Sequence, residues 1–250
     1  MKCILFGACG RMGRAIALCA KNRGDEIVCG VDPADVPPAE FAFPILKTAK
    51  TLTKTANCAI DFSSARNVEE RLLFCREKRI PIVIGTTGFS EKDRAEIRAA
   101  ARYIPVFTAD NFSLGVHVLC RLAKEAARLL RSFDVEIVEK HHRGKKDAPS
   151  GTALLLAESI EKARGDNGRA YGRRDEGRHA GEIGLHSVRG GTVVGEHEVL
   201  FLGDGETFAL SHAAQSRDVF AMGALTAAHW LVTRPAGLYG MDDLLPPSHS

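Results

Sequence analysis

The chain has no apolar run of about eighteen residues, the length a membrane-spanning helix needs. It has no C-x-x-C pair either: its seven cysteines scatter, mostly through apolar stretches. That argues against a disulfide framework, and Cys3, Cys29, Cys58 and Cys120 read as small core residues of a reducing compartment. Neither sign of charge dominates, because 34 Lys and Arg against 31 Asp and Glu leave a formal +3. There is no basic stripe with interleaved aromatics, so nucleic acid is not an expected partner. The opening M-K-C-I-L-F-G leads directly into a strand and leaves no room for a signal peptide. The expectation from these features is a soluble cytoplasmic protein. Its 250 residues, 45% of them hydrophobic, are enough for one large core or two modest ones.

The first half alternates strands with helices. A buried strand at 3–6 runs into G-A-C-G-R-M-G and then a helix. Gly7 permits a tight exit from the strand, Gly10 a close approach of a pyrophosphate, and Gly13 close packing of helix on sheet. The spacing G-x-x-G-x-x-G departs from the usual dinucleotide pattern at its second glycine. A second strand, 27–32, ends in Asp32, an acid about twenty residues beyond the glycines, where adenosine ribose hydroxyls are held. Arg11 and Arg14 can reach a phosphate, whereas Asp32 repels a 2′-phosphate. NADH is therefore the expected cofactor, with NADPH retained as the alternative.

The proline-rich stretch 33–56 carries at most a short helix or edge strand. Strands at 58–62, 80–85 and 104–108 follow, with a helix whose Val68, Leu72 and Cys75 share a stripe and another at 91–101. Thr86, Thr87 and Gly88 fall at the carboxyl end of a parallel strand. Two readings stand there: contacts to the nicotinamide side of a cofactor, or a plain turn with Ser90 capping the helix. The class expected is α/β, an N-terminal Rossmann-like parallel sheet.

The rhythm breaks at A-D-N-F-S-L-G-V. A helix at 114–130 is expected to bury Val118, Leu122, Ala126 and Leu129. Residues 164–182, charged and glycine-rich, read as an excursion, a mobile flap. Three alternating runs after it suggest antiparallel strands with one wet face, so the second domain is α+β with a mixed or antiparallel sheet. An apolar helix at 218–232 is expected to return to the first domain. The division is 1–109 with 217–250, for dinucleotide, and 110–216, for substrate and oligomerisation.

Chemistry concentrates in E-K-H-H-R-G-K-K-D-A-P-S-G-T, Glu139 to Thr152. Ser150 suits an N-cap, and the amides of Ser150, Gly151 and Thr152 would face a ligand. His141 and His142 point opposite ways on an extended segment, and Lys145 lies between them and the turn. The cluster fits a small polyanion and proton transfer. A metal is not expected, since no third histidine or cysteine stands at ligand spacing. Ser150 lacks a G-x-S-x-G setting, so it is not a nucleophile. Hydride transfer is the reaction class these features favour. A nicotinamide dehydrogenase of the homoserine or aspartate semialdehyde type, and a non-catalytic NAD(H) sensor, are the alternatives.

G-A-C-G-R-M-G, G-T-T-G at 85–88, N-F-S-L-G-V at 111–116 and E-K-H-H-R-G-K-K-D-A-P-S-G-T-A together resemble the 4-hydroxy-tetrahydrodipicolinate reductases, also called dihydrodipicolinate reductases. V-R-G-G, V-G-E-H-E and G-L-Y-G-M-D-D-L-L fit as well, and the likeness spans the chain. It implies a tetrameric, NADH- or NADPH-dependent enzyme of the diaminopimelate route to lysine, acting on a small dicarboxylate. It further implies His141 and Lys145 as the catalytic pair, and His142, Lys145, Ser150, Gly151 and Thr152 as carboxylate binders. Gly7, Gly10, Arg11, Met12 and Gly13 would hold the pyrophosphate and Asp32 the ribose. Gly85, Thr86 and Thr87, with Ala109, Asp110, Asn111 and Phe112, would line the nicotinamide end and hinge. Pro33, where many members carry a basic residue, departs from the pattern and weakens the NADPH case.

Overall fold

The structure, a computed structural model, describes residues 1–34, 41–52, 55–165 and 168–246. The chain forms two compact units, residues 1–112 with 217–250, and residues 113–216. The first is a parallel sheet in the order β12-β6-β5-β4-β1-β2-β3. Its strands are β1 (Lys2–Phe6), β2 (Glu26–Val31), β3 (Ile45–Leu46), β4 (Cys58–Asp61), β5 (Ile82–Ile84), β6 (Pro105–Thr108) and β12 (Gly237–Tyr239). Alternate side chains go to opposite faces. Cys3, Leu5, Ile60, Val83 and Phe107 pack with α1 (Arg11–Arg23) and α6 (Asp218–Leu231). Ile4, Phe6, Ala59, Ile82, Ile84 and Val106 pack with α2 (Val68–Lys78) and α3 (Glu91–Ala100). Burial on both faces is why these strands are unbroken apolar runs. The short helix α7 (Met241–Leu244) follows β12.

Residues 110–112 belong with the first unit rather than the second. Phe112 is buried there, its ring 5.3 Å from Phe62 and 5.9 Å from Phe107. Within 33–56, the edge strand β3 and a 3-10 turn at 49–51 both form, while 35–40 and 53–54 lie outside the described residues. Helix α6 packs Ala221, Ala224, Leu225, Ala228 and Leu231 into the core beside α1.

The second unit is a mixed sheet in the order β11-β10-β7-β9-β8. Its strands are β7 (Asp134–His141), β8 (Arg169–Tyr171), β9 (Ile183–Arg189), β10 (Gly195–Gly203) and β11 (Glu206–Ala214). Helices α4 (Leu114–Leu129) and α5 (Gly151–Arg164) cover its apolar face through Val135, Ile137, Ile183, Leu185, Val199 and Phe201. Three expectations change here. Helix α4 buries Ala126 as expected, together with Val116, Leu119, Cys120, Ala123 and Ala127, but leaves Val118, Leu122 and Leu129 exposed, because it is apolar on more than one face. Strand β9 does not pair with β10 but runs parallel to β7, a pairing made possible by the long crossover through α5.

The third change concerns the stretch before β9, which is tied down rather than loose. Strand β8 pairs with β9, and Glu136 accepts hydrogen bonds from Arg173 (2.6 Å) and Arg178 and is paired with His186 (2.6 Å). Arg173 also donates to Glu182, and Arg178 pairs with Asp134 at 2.8 Å. Arg178→Met removes two of these anchors. Amides of residues 172–182 are then expected to exchange with deuterium roughly tenfold faster. Unchanged exchange would mean that the segment is held some other way.

Candidate active site

Strand β7 presents Val135, Ile137, Glu139 and His141 to its buried face in strict alternation. The first two continue the apolar core, and the last two carry the same face into chemistry. The neighbouring strands change character at the same level. Glu139 stands in register with Ser187 on β9 and with His197 on β10, and His141 with Arg189. A polar layer therefore ends the sheet, against the amino end of α5.

Glu139 is wholly buried and is the centre of that layer. Arg189 donates to both of its oxygens, at 2.8 and 2.7 Å. The Ser150 amide donates to Oε1 at 3.1 Å, and His141 Nδ1 lies 2.5 Å from Oε2. Burial raises the pKa of such a carboxyl, but the hydrogen bonds from Arg189, Ser187 and His141 outweigh it and hold Glu139 down at about 2. His141 sits below the usual histidine value, chiefly through burial, although Glu139 acts the other way. Strand β7 ends at His141, so His142 turns out of the buried layer and is half-exposed.

Ser150 is the N-cap of α5, its hydroxyl accepting the Ala153 amide at 3.2 Å and lying 3.0 Å from His197 Nε2. It is 2% exposed, and both its amide and its hydroxyl are committed within the protein. The residues it presents are Gly151, exposed, and Thr152, half-buried, at the positive end of the helix dipole. Lys145 Nζ pairs with the exposed Asp147 at 2.8 Å, a partner that a ligand carboxylate is chemically able to replace. The Lys145 amide donates to the His142 carbonyl at 3.1 Å, which fixes the loop carrying the ammonium.

In the first unit, Gly7 has φ +76°, and a Cβ there would lie 2.5 Å from the Phe62 carbonyl oxygen. At Gly13 a Cβ would lie 2.2 Å from the Gly7 carbonyl oxygen, so only glycine lets α1 start against this turn. Gly10 is the N-cap of α1 and gives no side-chain cap, while Arg11 is exposed and Met12 half-buried beside it. Asp32 accepts the Cys9 amide and the Ala34 amide, each at 3.0 Å, so it braces the glycine turn. A carboxylate offers about four acceptor positions, so capacity for ribose hydroxyls remains. A cavity of about 390 Å³ borders it, with Lys47, Lys50, Ser63, Ser64 and Arg66 among its lining.

The residues expected at the nicotinamide end separate into two groups. Thr87 is exposed, and Ala109 and Asp110 border a cavity of about 220 Å³. Thr86 also lines it, but its hydroxyl is bound to Asp61 (3.1 Å) and to the Ser63 amide (3.0 Å). The Phe62 ring fills the space beside Gly85, where a Cβ would meet it at 2.2 Å. Phe112 is a core ring, and Asn111 beside it is half-exposed. Ser90 caps α3 in a reciprocal box with Asp93.

Residues 1–112 match the family model for the N-terminus of dihydrodipicolinate reductase, and residues 115–245 the model for its C-terminus. The chain belongs to the dihydrodipicolinate reductase family. A 4-hydroxy-tetrahydrodipicolinate reductase of Caldanaerobacter subterraneus subsp. tengcongensis is 44% identical, covering 98% of each chain. One from Zymomonas mobilis is 43% identical over 96% of this chain and 95% of its own. A solved, dipicolinate-bound dihydrodipicolinate reductase from Paenisporosarcina sp. TG-14 superposes with a TM-score of 0.83 at 28% identity, covering 98% of this chain and 99% of that one.

Within this family framework, sequence reasoning passed over Glu139, Arg189 and His197, and weighed Asp147 only as a poor metal ligand. The two-residue spacing of Glu139 and His141 along a strand was the available signal. Burial, and then neighbouring His141, push His197 down to about 4. An unfolded histidine titrates near 6.5, so the unfolded chain binds this proton first. The contribution of neutral His197 to stability is therefore full above about pH 6.5 and lost as pH falls toward about 4. His197→Gln, which keeps an acceptor for Ser150, is expected to lose less stability across that window in urea titrations. An equal loss in both proteins would contradict the assignment.

Proposed function

We propose that this protein reduces 4-hydroxy-tetrahydrodipicolinate to tetrahydrodipicolinate, consuming NAD(P)H and a proton and releasing NAD(P)⁺ and water, in the diaminopimelate route to lysine. The observation that carries the reading is the amino end of α5, with Gly151 and Thr152 at its opening and Lys145 on the loop that joins β7 to it. That is a receptor for paired carboxylates, and the relatives' names and the dipicolinate-bound structure supply the dicarboxylate. His142, Lys145, Gly151 and Thr152 hold the carboxylates, with Ser150 setting the helix end from beneath.

Bound nicotinamide supplies the hydride. The glycine-only turn at Gly7, Gly10 and Gly13, with Arg11 and Met12 at the start of α1, fits a pyrophosphate. Gly85, Thr87, Ala109, Asp110 and Asn111 line its nicotinamide end in this reading, with Thr86 and Phe112 as their support. Lys145 donates the proton to the reduced substrate, and His141 is the second proton-handling group. Asp32 binds the ribose hydroxyls. Its charge, with Pro33 rather than a basic residue next in sequence, favours NADH over NADPH. Lys47 supports this by donating to the carbonyls of Pro33 (2.7 Å) and Ala34 (2.9 Å), which ties the ammonium to that loop. The same reading places the protein in the cytoplasm as a homotetramer, an assembly supported by apolar Leu202 on β10 and Phe208 on the edge strand β11, both exposed.

The test is oxidation of NADH, and separately of NADPH, with substrate generated in situ by a synthase from pyruvate and aspartate semialdehyde. Lys145→Ala is expected to lower kcat about a hundredfold or more with NADH affinity unchanged, and NADH to give the higher kcat/KM. Tight NADH binding without turnover by the unaltered protein would sink the reductase reading in favour of a sensor.

A further inference from the structure

Glu139 touches both halves of the polar layer at once. One oxygen receives the Ser150 amide and the other faces His141 Nδ1, while Arg189 spans both. An ionised carboxylate only accepts hydrogen bonds, so the Nδ1 facing it must carry a proton. The second ring nitrogen, Nε2, points toward Gly195, where an added Cβ would stand 3.1 Å from it. The remaining neighbours cannot replace this restraint. His197 packs its ring edge-on to His141 at 5.2 Å but has its Nε2 on Ser150, and Lys145 is paired with Asp147. Arg189 is likewise anchored, on Glu139 and on the carbonyl oxygens of Asp147 at 2.6 Å and Val188 at 2.8 Å.

We propose that Glu139, clamped by Arg189, is a positioning residue: it fixes His141 as the Nδ1–H tautomer and ties the proton-handling strand end to the carboxylate-binding end of α5. This deepens the reductase reading and rests on it for the catalytic consequence. The tautomer itself is a property of the protein alone. Across strands β7, β9 and β10, the charged and titratable groups around His141 are Glu139, Arg189, His197 and, from the loop, Lys145. Of these only Glu139 raises the pKa of His141. Its neutralisation therefore moves the histidine's titration to lower pH.

The experiment combines ¹⁵N-histidine NMR with turnover for Glu139→Gln and for the charge-free pair Glu139→Gln with Arg189→Met. The pair leaves no unpaired buried guanidinium, so it serves if the single variant does not fold. In the unaltered protein His141 is expected as Nδ1–H alone. In the variants it becomes a tautomer mixture, and in Glu139→Gln it titrates at lower pH. The kcat then falls roughly tenfold to a hundredfold, less than full loss of acid–base catalysis, with NADH affinity retained. A fixed Nδ1–H form in the folded variants, or lost turnover with tautomer and pH profile unmoved, overturns the proposal. Absent turnover in the unaltered protein would remove the reductase reading, while a tautomer released only in the variants would still support the positioning role.

Discussion

A carboxylate with no exposed surface, like that of Glu139, is tolerated only when its lost hydration is replaced donor by donor. Here the donors come from every direction the fold offers. Arg189 reaches across from the neighbouring strand, Ser150 offers its amide from the head of a helix, and His141 contributes its ring from two residues along the same strand. The charge is thus satisfied only while strand β7, strand β9 and helix α5 are all in place. This makes Glu139 less a source of stability than a specifier of arrangement. A buried pair of this kind contributes little net free energy, but removing one partner costs about 3–5 kcal/mol.

The first unit solves a comparable problem with backbone. Its turn between β1 and α1 has no room for side chains at Gly7 and Gly13, and the Asp32 carboxylate accepts the Cys9 amide to hold it. Asp61 does the same one crossover away. It is fully buried, paired with Arg71 at 2.7 Å, and bound to Ser63 and Thr86. Arg71 then donates to the carbonyls of Arg66 and Ser64, which shapes the loop lining the cavity beside Asp32. In both units a charged side chain at a strand end is used to set loop geometry.

The parallel sheet was legible because strands buried on both faces must be continuous apolar runs, and the glycine turn because its backbone admits nothing larger. The Ser150 cap was legible because capping is local chemistry. Helix α4 was misread because Val118, Leu122 and Leu129 form a helical stripe of their own, and periodicity cannot say which of two apolar faces meets the sheet. The stretch before β9 was misread because its anchors, Arg173 and Arg178, find Glu136 across a long sequence separation, which leaves no local mark. Arg189 and His197 were hidden for the same reason. Glu139 was not hidden, since alternation along a strand puts it on the face of His141. Sequence reasoning instead weighed the cations around the loop and passed over the acid beneath them.

Ser150 faces inward and builds the helix end, and in the proposed function Gly151 and Thr152 are the residues that receive the ligand. A crystal structure of the protein with dipicolinate tests this division of labour most directly. The account predicts a ligand carboxylate within hydrogen-bonding distance of the Gly151 and Thr152 amides. Lys145 would move from Asp147 to the ligand, and Ser150 would stay on Glu139 and His197. A carboxylate bound to the Ser150 hydroxyl with His197 displaced, or a ligand away from this helix end, would contradict it.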